Sequence, residues 1–356
     1  MLYRDVCVEG LAYTLPPVIV TSAELEQRLK PVYDQQGVSV GRLELMTGIH
    51  SRRFWEPGTR VGQISALTVQ TLLRQTAFDP QKIGFLAHGS VCRDQLEPAT
   101  ACAVHATNSL PSNCVVFDLS NACLGLLNGM LLLANMIELG QVEAGIIVGT
   151  EDGRGLVEGT IDTLLAQPSV SRQELKLAFA SLTIGCGSAA ILLCHRRFSR
   201  TGHRLLGGVC RADSAAHQLC AGGVESQTFG DDRPRMQTDS EALLVAGVNL
   251  AEQTWSAARA ELGWSNSSVD KAFTHQVGKA HRKLLYDRLG LDPQIDFATV
   301  DWLGNTGAAA LPMTAAIGIE QGHLQPGDRV AWLGIGSGLN SIMLGLEWGR
   351  GLEKPD

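Results

Sequence analysis

The sequence predicts an α/β protein made of two duplicated halves, and three observations support this fold class. The 356-residue chain is 45% hydrophobic and 18% charged, a globular composition long enough for one large domain or two closely packed ones. Short runs rich in Val and Ile alternate with apolar residues at helical spacing. One strand–helix–strand pattern occurs twice. Such alternation is typical of largely parallel sheets covered by helices.

The repeated pattern spans residues 115–152 and 297–338. Each copy has a strand-like run, an Asn followed two positions later by a small or sulfur-containing residue, and a helix pattern. A glycine-containing turn and an apolar strand that ends in glycine complete each copy. A further strand-like segment precedes each copy at similar spacing, at 82–90 and 271–279. Two similarities in the same order indicate an internal duplication.

We therefore predict an N-terminal half at residues 1–200 and a C-terminal half at 201–356, which meet in the polar stretch RRFSRTGHR. In α/β sheets, ligands bind at the carboxyl ends of the strands. Cys123 and Asn305 follow predicted strands at helix starts, and His275 ends the predicted strand 271–275. Equivalent ends of two paired halves can meet at one pocket.

Charge and composition exclude several classes of protein. The net charge of -7 and the lack of a long basic run argue against nucleic-acid binding. The first ten residues lack the pattern of a secretory signal, and the most apolar stretch, 122–139, is too short for a transmembrane helix. Nine cysteines without a C-x-x-C pair, and no H-E-x-x-H, predict a reducing cytoplasm and no metal site.

Cys123 stands within FDLSNACLGLLNGM, residues 117–130. Ser120 or Asn121 is a plausible helix N-cap, which would put Cys123 in the first helical turn. Unpaired N–H groups and the helix dipole lower the pKa of a thiol there and make it a better nucleophile. The alternative is a small buried side chain, the usual state of a free cysteine. The matching strand ends that carry His and Asn favour the nucleophile.

His275 and Asn305 indicate a catalytic site only when they are considered together. Alone, His275 reads better as a hydrogen-bonded structural histidine, and Asn305 reads as an N-cap. Together, a neutral imidazole and an amide can both donate hydrogen bonds to one carbonyl oxygen, and this arrangement stabilises an enolate derived from a thioester.

Six motifs then reveal a family resemblance along almost the whole chain. They are TGIHSRR (47–53), SNACLG (120–125), GCGSAAILL (185–193), HQVGKAH (275–281), GNTGAAALP (304–312) and GIGSGLN (334–340). In this order they resemble the thiolase superfamily, on the branch of 3-oxoacyl-(acyl-carrier-protein) synthase III. The resemblance implies a five-layered αβαβα thiolase fold, a homodimer, and acyl groups delivered on coenzyme A or carrier protein. It assigns the nucleophile to Cys123 and the paired histidine and asparagine to His275 and Asn305.

Within that branch, SVCRDQLEPATA at 90–101 most resembles the OleA-type enzymes, which condense two long acyl-CoA chains head to head. By this similarity, Glu97 would reach across the dimer interface into the partner's active site. A fatty acyl-CoA has no carboxylate to lose, so a base must remove its α-proton, and a carboxylate in an apolar pocket suits that task. Without the resemblance, Glu97 reads as an exposed loop acid beside Pro98.

Three further features complete the predicted site. The GIGSG turn at 334–338 lacks the following helix and strand of a dinucleotide loop, and by resemblance its Gly338 supplies a second oxyanion N–H with Ser337 beside it. Arg52 and Arg53 are candidates for contacts with CoA phosphates, or a surface basic pair. The chain departs from the family at Gly185-Cys186-Gly187, lacks the adenine-stacking tryptophan of synthase III in 30–46, and carries an inserted loop at 220–235.

The sequence thus predicts a homodimeric, cytoplasmic acyltransferase that uses acyl-CoA thioesters as substrates, without a cofactor or metal, and forms a β-keto product by non-decarboxylative Claisen condensation. Acyl carrier protein or downstream pathway enzymes are further expected partners. The first alternative is a decarboxylative synthase III with a malonyl donor, in which Glu97 has no chemical role. The second is a non-catalytic thiolase-fold subunit, against which the intact Cys, His and Asn argue.

Overall fold

A computed structural model of the protein describes residues 1–223 and 234–349. The strands are β1 (Val6–Thr14), β2 (Val18–Thr21), β3 (Ser51–Phe54), β4 (Ile83–Gly89), β5 (Val115–Leu119), β6 (Ala144–Glu151), β7 (Gly187–His195), β8 (Arg204–Ala212), β9 (Cys220–Gly223), β10 (Arg235–Thr238), β11 (Lys271–Thr274), β12 (Arg329–Gly336) and β13 (Asn340–Glu347). The helices are α1 (Ser22–Arg28), α2 (Lys30–Gln36), α3 (Arg42–Thr47), α4 (Val61–Thr76), α5 (Thr100–Thr107), α6 (Gly125–Glu138), α7 (Arg154–Ala166), α8 (Arg172–Leu182), α9 (Ser240–Leu262), α10 (Lys279–Leu289), α11 (Val300–Leu303) and α12 (Ala310–Glu320).

Nine strands form one mixed sheet in the order β11-β12-β13-β8-β1-β7-β6-β4-β5. It consists of a half-sheet from each half of the chain, and the two half-sheets join where β1 pairs with β8 at Cys7 and Arg204. β4 runs parallel to β5 and β6, and β11 parallel to β12, whereas the other neighbours are antiparallel. The prediction of largely parallel sheets is therefore wrong. A short turn joins β12 to β13, and such a turn can only produce an antiparallel pair.

The layers follow the predicted αβαβα order. Side chains on one face of the sheet join those of α6 and α12 in the largest apolar core, so these two helices form the middle layer between the half-sheets. Alternate residues of the N-terminal strands face α4 and α5, and those of the C-terminal strands face α9 and α10. Alternation along each strand thus divides the core between the inner and outer layers.

The elements predicted for the first copy are confirmed, since β4, β5, α6 and β6 occupy the predicted segments. In the second copy, β11, α12 and β12 match, but the strand predicted before Asn305 is wrong, because helix α11 lies there. The side-chain oxygen of Gln276 accepts the N–H groups of Thr299 (2.9 Å) and Val300 (3.0 Å). These bonds satisfy the free donors at the helix start and favour a helical turn over a strand.

The remaining segment predictions concern connections. Residues 224–233 of the predicted insertion lie outside the described residues, and its described flanks pair as β9 and β10. The division at residue 200 falls between β7 and β8 and stays a prediction. Among the described helices, none combines the length and apolar character that a membrane crossing requires.

Candidate active site

Cys123 lies in a sharp elbow between β5 and α6. Ala122 has a φ of 44°, a left-handed conformation uncommon outside glycine, and the N–H of Leu124 donates to the carbonyl of Asn121 at 2.9 Å. Helix α6 begins at Gly125 after a cap residue, Leu124, that makes no side-chain hydrogen bond. The predicted N-cap at Ser120 or Asn121 is therefore wrong. The left-handed turn at Ala122 delays the helix, so that Cys123 precedes its first turn.

Three glycines hold this elbow against the sheet. A methyl group on Gly125 would lie 2.9 Å from the carbonyl carbon of Gly89, at the end of β4. A methyl group on Gly149, in β6, would lie 2.5 Å from the oxygen of Gly89. Backbone thus packs directly on backbone where α6 begins, and side chains larger than hydrogen would move the elbow.

The thiol of Cys123 has a raised pKa, contrary to the predicted lowering. Burial is the largest cause of the rise to about 12, and the nearby carboxyl of Glu151 adds to it. The backbone N–H groups of Ser337 and of Cys123 itself act in the opposite direction. Desolvation and a neighbouring negative charge both disfavour the thiolate, and here they outweigh the N–H donors. The resting residue is a neutral thiol with part of its surface accessible.

The turn after β12, residues 337–339, faces the Cys123 elbow. Gly336 lies against Cys123, because a methyl group on it would be 3.5 Å from the Cys123 nitrogen. Asn340 donates to the side-chain oxygen of Asn121 at 3.3 Å and so joins the two turns. Gly338 has a φ of 104°, which favours glycine. The backbone N–H of Ser337 lies close enough to the sulfur to act against the rise in the Cys123 pKa, and an oxyanion role for the N–H of Gly338 stays a prediction.

His275 follows β11 directly and is 5% exposed. Its backbone N–H donates to the carbonyl of Leu333 in β12 at 3.1 Å, which fixes the residue beside the strand that ends at the Ser337 turn. Burial, with a smaller contribution from His281, lowers the pKa of His275 to about 3. The imidazole is thus neutral near pH 7, as predicted. Its Nδ1 is buried without a hydrogen-bond partner in the described part of the chain.

Asn305 lies in a turn formed by residues 304–308, which we call the Asn305 turn. Its backbone is clamped, since its N–H donates to Thr183 and its carbonyl accepts from Gly185, both at 2.9 Å. Its side-chain oxygen accepts the N–H of Gly307 at 3.0 Å. With the oxygen bonded within the turn, the amide NH₂ is the donor group that this side chain can offer to a ligand.

Glu151 is a site residue that the sequence analysis missed. It ends β6 at the same sheet edge as the Cys123 elbow, is 6% exposed, and has a pKa raised by burial. Its Oε1 accepts the N–H of Val91 at 3.1 Å and that of Ala308, in the Asn305 turn, at 3.2 Å. Its position at the carboxyl end of a wholly buried strand was the signal available in the sequence.

Glu97 lies in an exposed loop, residues 90–99, which we call the Glu97 loop. The loop is anchored at its root, where the Ser90 hydroxyl donates to Thr150 at 2.8 Å and the carboxylate of Asp94 accepts from Gly62 at 3.2 Å. Leu96 beside Glu97 is 94% exposed. Within a single chain, Glu97 is thus not brought to Cys123, His275 and Asn305.

The two arginines behave differently. Arg52 is 0% exposed, and its guanidinium donates to Ser22 and to the carbonyl of Leu182, both at 3.1 Å. This burial, which lowers its pKa to about 10, argues against contact with a CoA phosphate. Arg53 is partly exposed, donates to Pro16 at 3.0 Å and lies 6.0 Å from the ring of Trp302.

The Gly185-Cys186-Gly187 departure has a structural role. The sulfur of Cys186 accepts the N–H of Gly153 at 3.1 Å and contacts Asp152, while its N–H donates to Arg53. A methyl group on Gly185 would lie 2.0 Å from the carbonyl oxygen of Leu303. The motif thus packs β7 against the approach to Asn305. Over residues 1–223 and 234–349, no group of His, Cys, Asp and Glu has the arrangement of a metal site.

Comparison with known proteins places this site in a family. The profile of the 3-oxoacyl-[acyl-carrier-protein (ACP)] synthase III C-terminal family matches residues 260–348. The chain is 41% identical over 351 residues to an acyl-CoA:acyl-CoA alkyltransferase of Shewanella oneidensis, covering 98% of this chain and 100% of that protein. It is 34% identical over 348 residues to the protein of the same name from Xanthomonas campestris, with 98% and 100% coverage.

Solved structures give the same relationship. Xanthomonas campestris OleA bound to cerulenin superimposes with a TM-score of 0.92 at 34% identity, over 98% of each chain. A Cys-to-Ser variant of that protein, with bound lauric acid and lauroyl-CoA, has a TM-score of 0.91, over 98% of this chain and 100% of that one. Other structures of that protein carry replacements of one glutamate or one histidine. The chain has the thiolase fold and belongs to the OleA family of acyl-CoA:acyl-CoA alkyltransferases, within the 3-oxoacyl-(acyl-carrier-protein) synthase III branch.

Proposed function

We propose that this protein condenses two long-chain acyl-CoA thioesters, without decarboxylation, to a β-keto product through an acyl group on Cys123. The observation that carries the proposal is the contact of the Cys123 elbow with the Ser337 turn, beside the strand that fixes a buried, neutral His275. Full-length similarity to two acyl-CoA:acyl-CoA alkyltransferases supports the reaction class.

The first step transfers an acyl group to Cys123. The sulfur attacks the thioester carbonyl, and the N–H groups of Cys123 and Gly338 hold the tetrahedral oxyanion. The bond from the carbonyl carbon to the CoA sulfur then breaks. Because Cys123 rests as a thiol with a pKa of about 12, its proton must leave as the carbon–sulfur bond forms, and CoA departs as the protonated thiol.

The second step forms the carbon–carbon bond. Glu97 removes the α-proton of the second acyl-CoA, and His275 with Asn305 donates hydrogen bonds to the enolate oxygen. Two observations support these roles: the imidazole of His275 is neutral, and the Asn305 side-chain oxygen already accepts the N–H of Gly307. The enolate carbon attacks the acyl-cysteine carbonyl, the bond to the Cys123 sulfur breaks, and the proton held by Glu97 returns to that sulfur. This leaves a β-keto acyl-CoA, which water hydrolyses to the β-keto acid and CoA.

Glu97 must come from a second copy of the chain, so we propose a homodimer. Its exposure in the single chain supports this, as do the exposed apolar side chains of Val91 and Leu96 in the same loop. In Xanthomonas campestris OleA, the glutamate and cysteine replaced in solved structures are separated by the same number of residues as Glu97 and Cys123.

The wider setting is also a proposal. We infer a cytoplasmic enzyme that needs no cofactor or metal and passes its product to a downstream enzyme or acyl carrier protein. All nine cysteines are free thiols, which supports a reducing compartment. Contact of Arg53 with a CoA phosphate is part of the same proposal.

Incubation with a long-chain acyl-CoA alone tests the function. We expect release of CoA, an acyl adduct on Cys123 by intact mass, and a β-keto acid or its ketone; Cys123→Ser should form neither adduct nor product. Glu97→Gln should still form the adduct while condensation falls at least about 100-fold, within the range of general-base catalysis. Glu56→Gln, at another exposed glutamate, is the matched control. Condensation that requires a malonyl donor and survives Glu97→Gln would favour the decarboxylative alternative, and absence of any adduct would favour a non-catalytic subunit.

A further inference from the structure

Glu151 is a buried carboxyl beside the nucleophile for which the proposed mechanism has no role. It is 6% exposed at the carboxyl end of β6 and close enough to Cys123 to influence its ionisation. Burial of such a group is costly unless hydrogen bonds compensate. Its hydrogen bonds should therefore indicate what it holds in place.

The first of these bonds reaches the Glu97 loop. The N–H of Val91, at the start of the loop, donates to Glu151 Oε1 at 3.1 Å. The neighbouring residue adds contacts to the same strand end, since the sulfur of Cys92 accepts the N–H of Asp152 at 3.2 Å. The loop that carries Glu97 is thus fastened at its root to the end of β6.

The second bond reaches the Asn305 turn. The N–H of Ala308 donates to the same oxygen, Glu151 Oε1, at 3.2 Å. Gly307, between Asn305 and Ala308, packs on this carboxyl, because a methyl group on it would lie 3.1 Å from Glu151 Cδ. Gly307 is also the residue whose N–H holds the Asn305 side chain at 3.0 Å. Displacement of Glu151 would therefore release the turn that aims the amide of Asn305.

We propose that Glu151 is a positioning residue for condensation, with one carboxyl oxygen that ties the Glu97 loop to the Asn305 turn. The inference deepens the proposed function and rests on its assignment of Glu97 and Asn305. In the proposed dimer, Glu97 serves the partner subunit's site. One Glu151 therefore orients an enolate-binding group in its own site and a base in the other.

The geometry separates this role from a role of the negative charge. Both N–H groups bind one oxygen, and the side-chain oxygen of glutamine in Glu151→Gln can accept both at the same chain length. Glu151→Ala removes the acceptor. Glu9→Ala is the matched control, since Glu9 is 3% exposed and its carboxylate accepts the N–H groups of Arg200 and Thr201 in a turn without assigned site residues.

The experiment measures Cys123 acylation by intact mass, β-keto product formation, and hydrogen exchange in residues 90–99 and 304–309. In Glu151→Ala we expect condensation to fall at least tenfold and acylation less than threefold, with faster exchange in both segments. Glu151→Gln should retain condensation within threefold and keep the slow exchange. Glu9→Ala should leave the ratio of condensation to acylation unchanged.

Three results would overturn the inference: an equal loss in Glu151→Gln and Glu151→Ala, equal losses of acylation and condensation, or unchanged exchange in Glu151→Ala. Failure of the proposed function gives a different pattern. If the wild-type protein forms the acyl adduct but condenses only with a malonyl donor, the assignment of Glu97 as the base is wrong. The tie to Asn305 is then still tested, through condensation with that donor and exchange in residues 304–309.

Discussion

Replacement of Gly125 by alanine should displace Cys123, the proposed nucleophile, without contacting it. The added methyl group would lie 2.9, 3.0 and 3.3 Å from three backbone atoms of Gly89, whereas ordinary contacts of this kind begin near 3.4 Å. Backbone cannot rotate out of the way, so the start of α6 must move by about 0.5 Å to relieve the overlap. Cys123 lies two residues before Gly125 and must move with it.

The cost can be worked out in two parts. Overpacking of a filled interior costs about 1–3 kcal/mol, which should appear in the free energy of unfolding. A misplacement of 1 Å can cost about 100-fold in rate, so a shift of about half that distance should slow acylation of Cys123 about tenfold. Acylation is followed by intact mass at a single acyl-CoA concentration, and unfolding by urea.

Gly155→Ala is the matched control. Gly155 also lies at the start of a helix, α7, and a methyl group there would have one contact, at 3.7 Å from Pro234. Because alanine is a better helix former, we expect unchanged acylation and up to about 1 kcal/mol of added stability. Wild-type acylation and stability in Gly125→Ala would refute the claim that backbone contact positions the nucleophile.

Three further predictions follow from burial. Because the pKa of Cys123 is about 12, the rate of its alkylation by iodoacetamide should rise about tenfold per pH unit from pH 7 to 9. The Cys123→Ser variant gives the background from the other cysteines. A plateau near pH 8 would contradict this expectation. Burial lowers the pKa of His88 from 6.5 to about 4. Between these two pH values the unfolded chain is protonated at His88 and the folded chain is not. The free energy of unfolding should therefore fall by up to about 3 kcal/mol as the pH drops from 6.5 to 4. In His88→Gln, the free energy of unfolding measured in urea should depend less on pH than in the wild-type protein. An equal dependence would show that His88 is not the group responsible. Arg52→Met should lower the free energy of unfolding by about 1–3 kcal/mol without raising KM for acyl-CoA. Arg53→Ala should raise KM for acyl-CoA. If only Arg52→Met raised KM, Arg52 rather than Arg53 would be the contact with the CoA phosphate.

Local sequence patterns predicted the strand and helix that flank Cys123, because periodicity and turn residues act over a few positions. The same patterns failed for the segment before Asn305, where they predicted a strand. There the side chain of Gln276, from another segment, satisfies the backbone of Thr299 and Val300, and a helix replaces the expected strand. A contact between distant segments overrode a local preference, and no window around residue 300 contains it.

By itself, the sequence predicted the α/β thiolase fold and the order of the motifs, and it identified Cys123, His275 and Asn305 as the candidate site residues. The tertiary structure decided the state of these residues. Burial and Glu151 make Cys123 a neutral thiol, although its neighbours in sequence predicted a lowered pKa. Glu151 binds Ala308 across 157 positions, a contact that no local pattern carries. Propensity acts between near neighbours, whereas desolvation and hydrogen bonding depend on which distant groups the fold brings together.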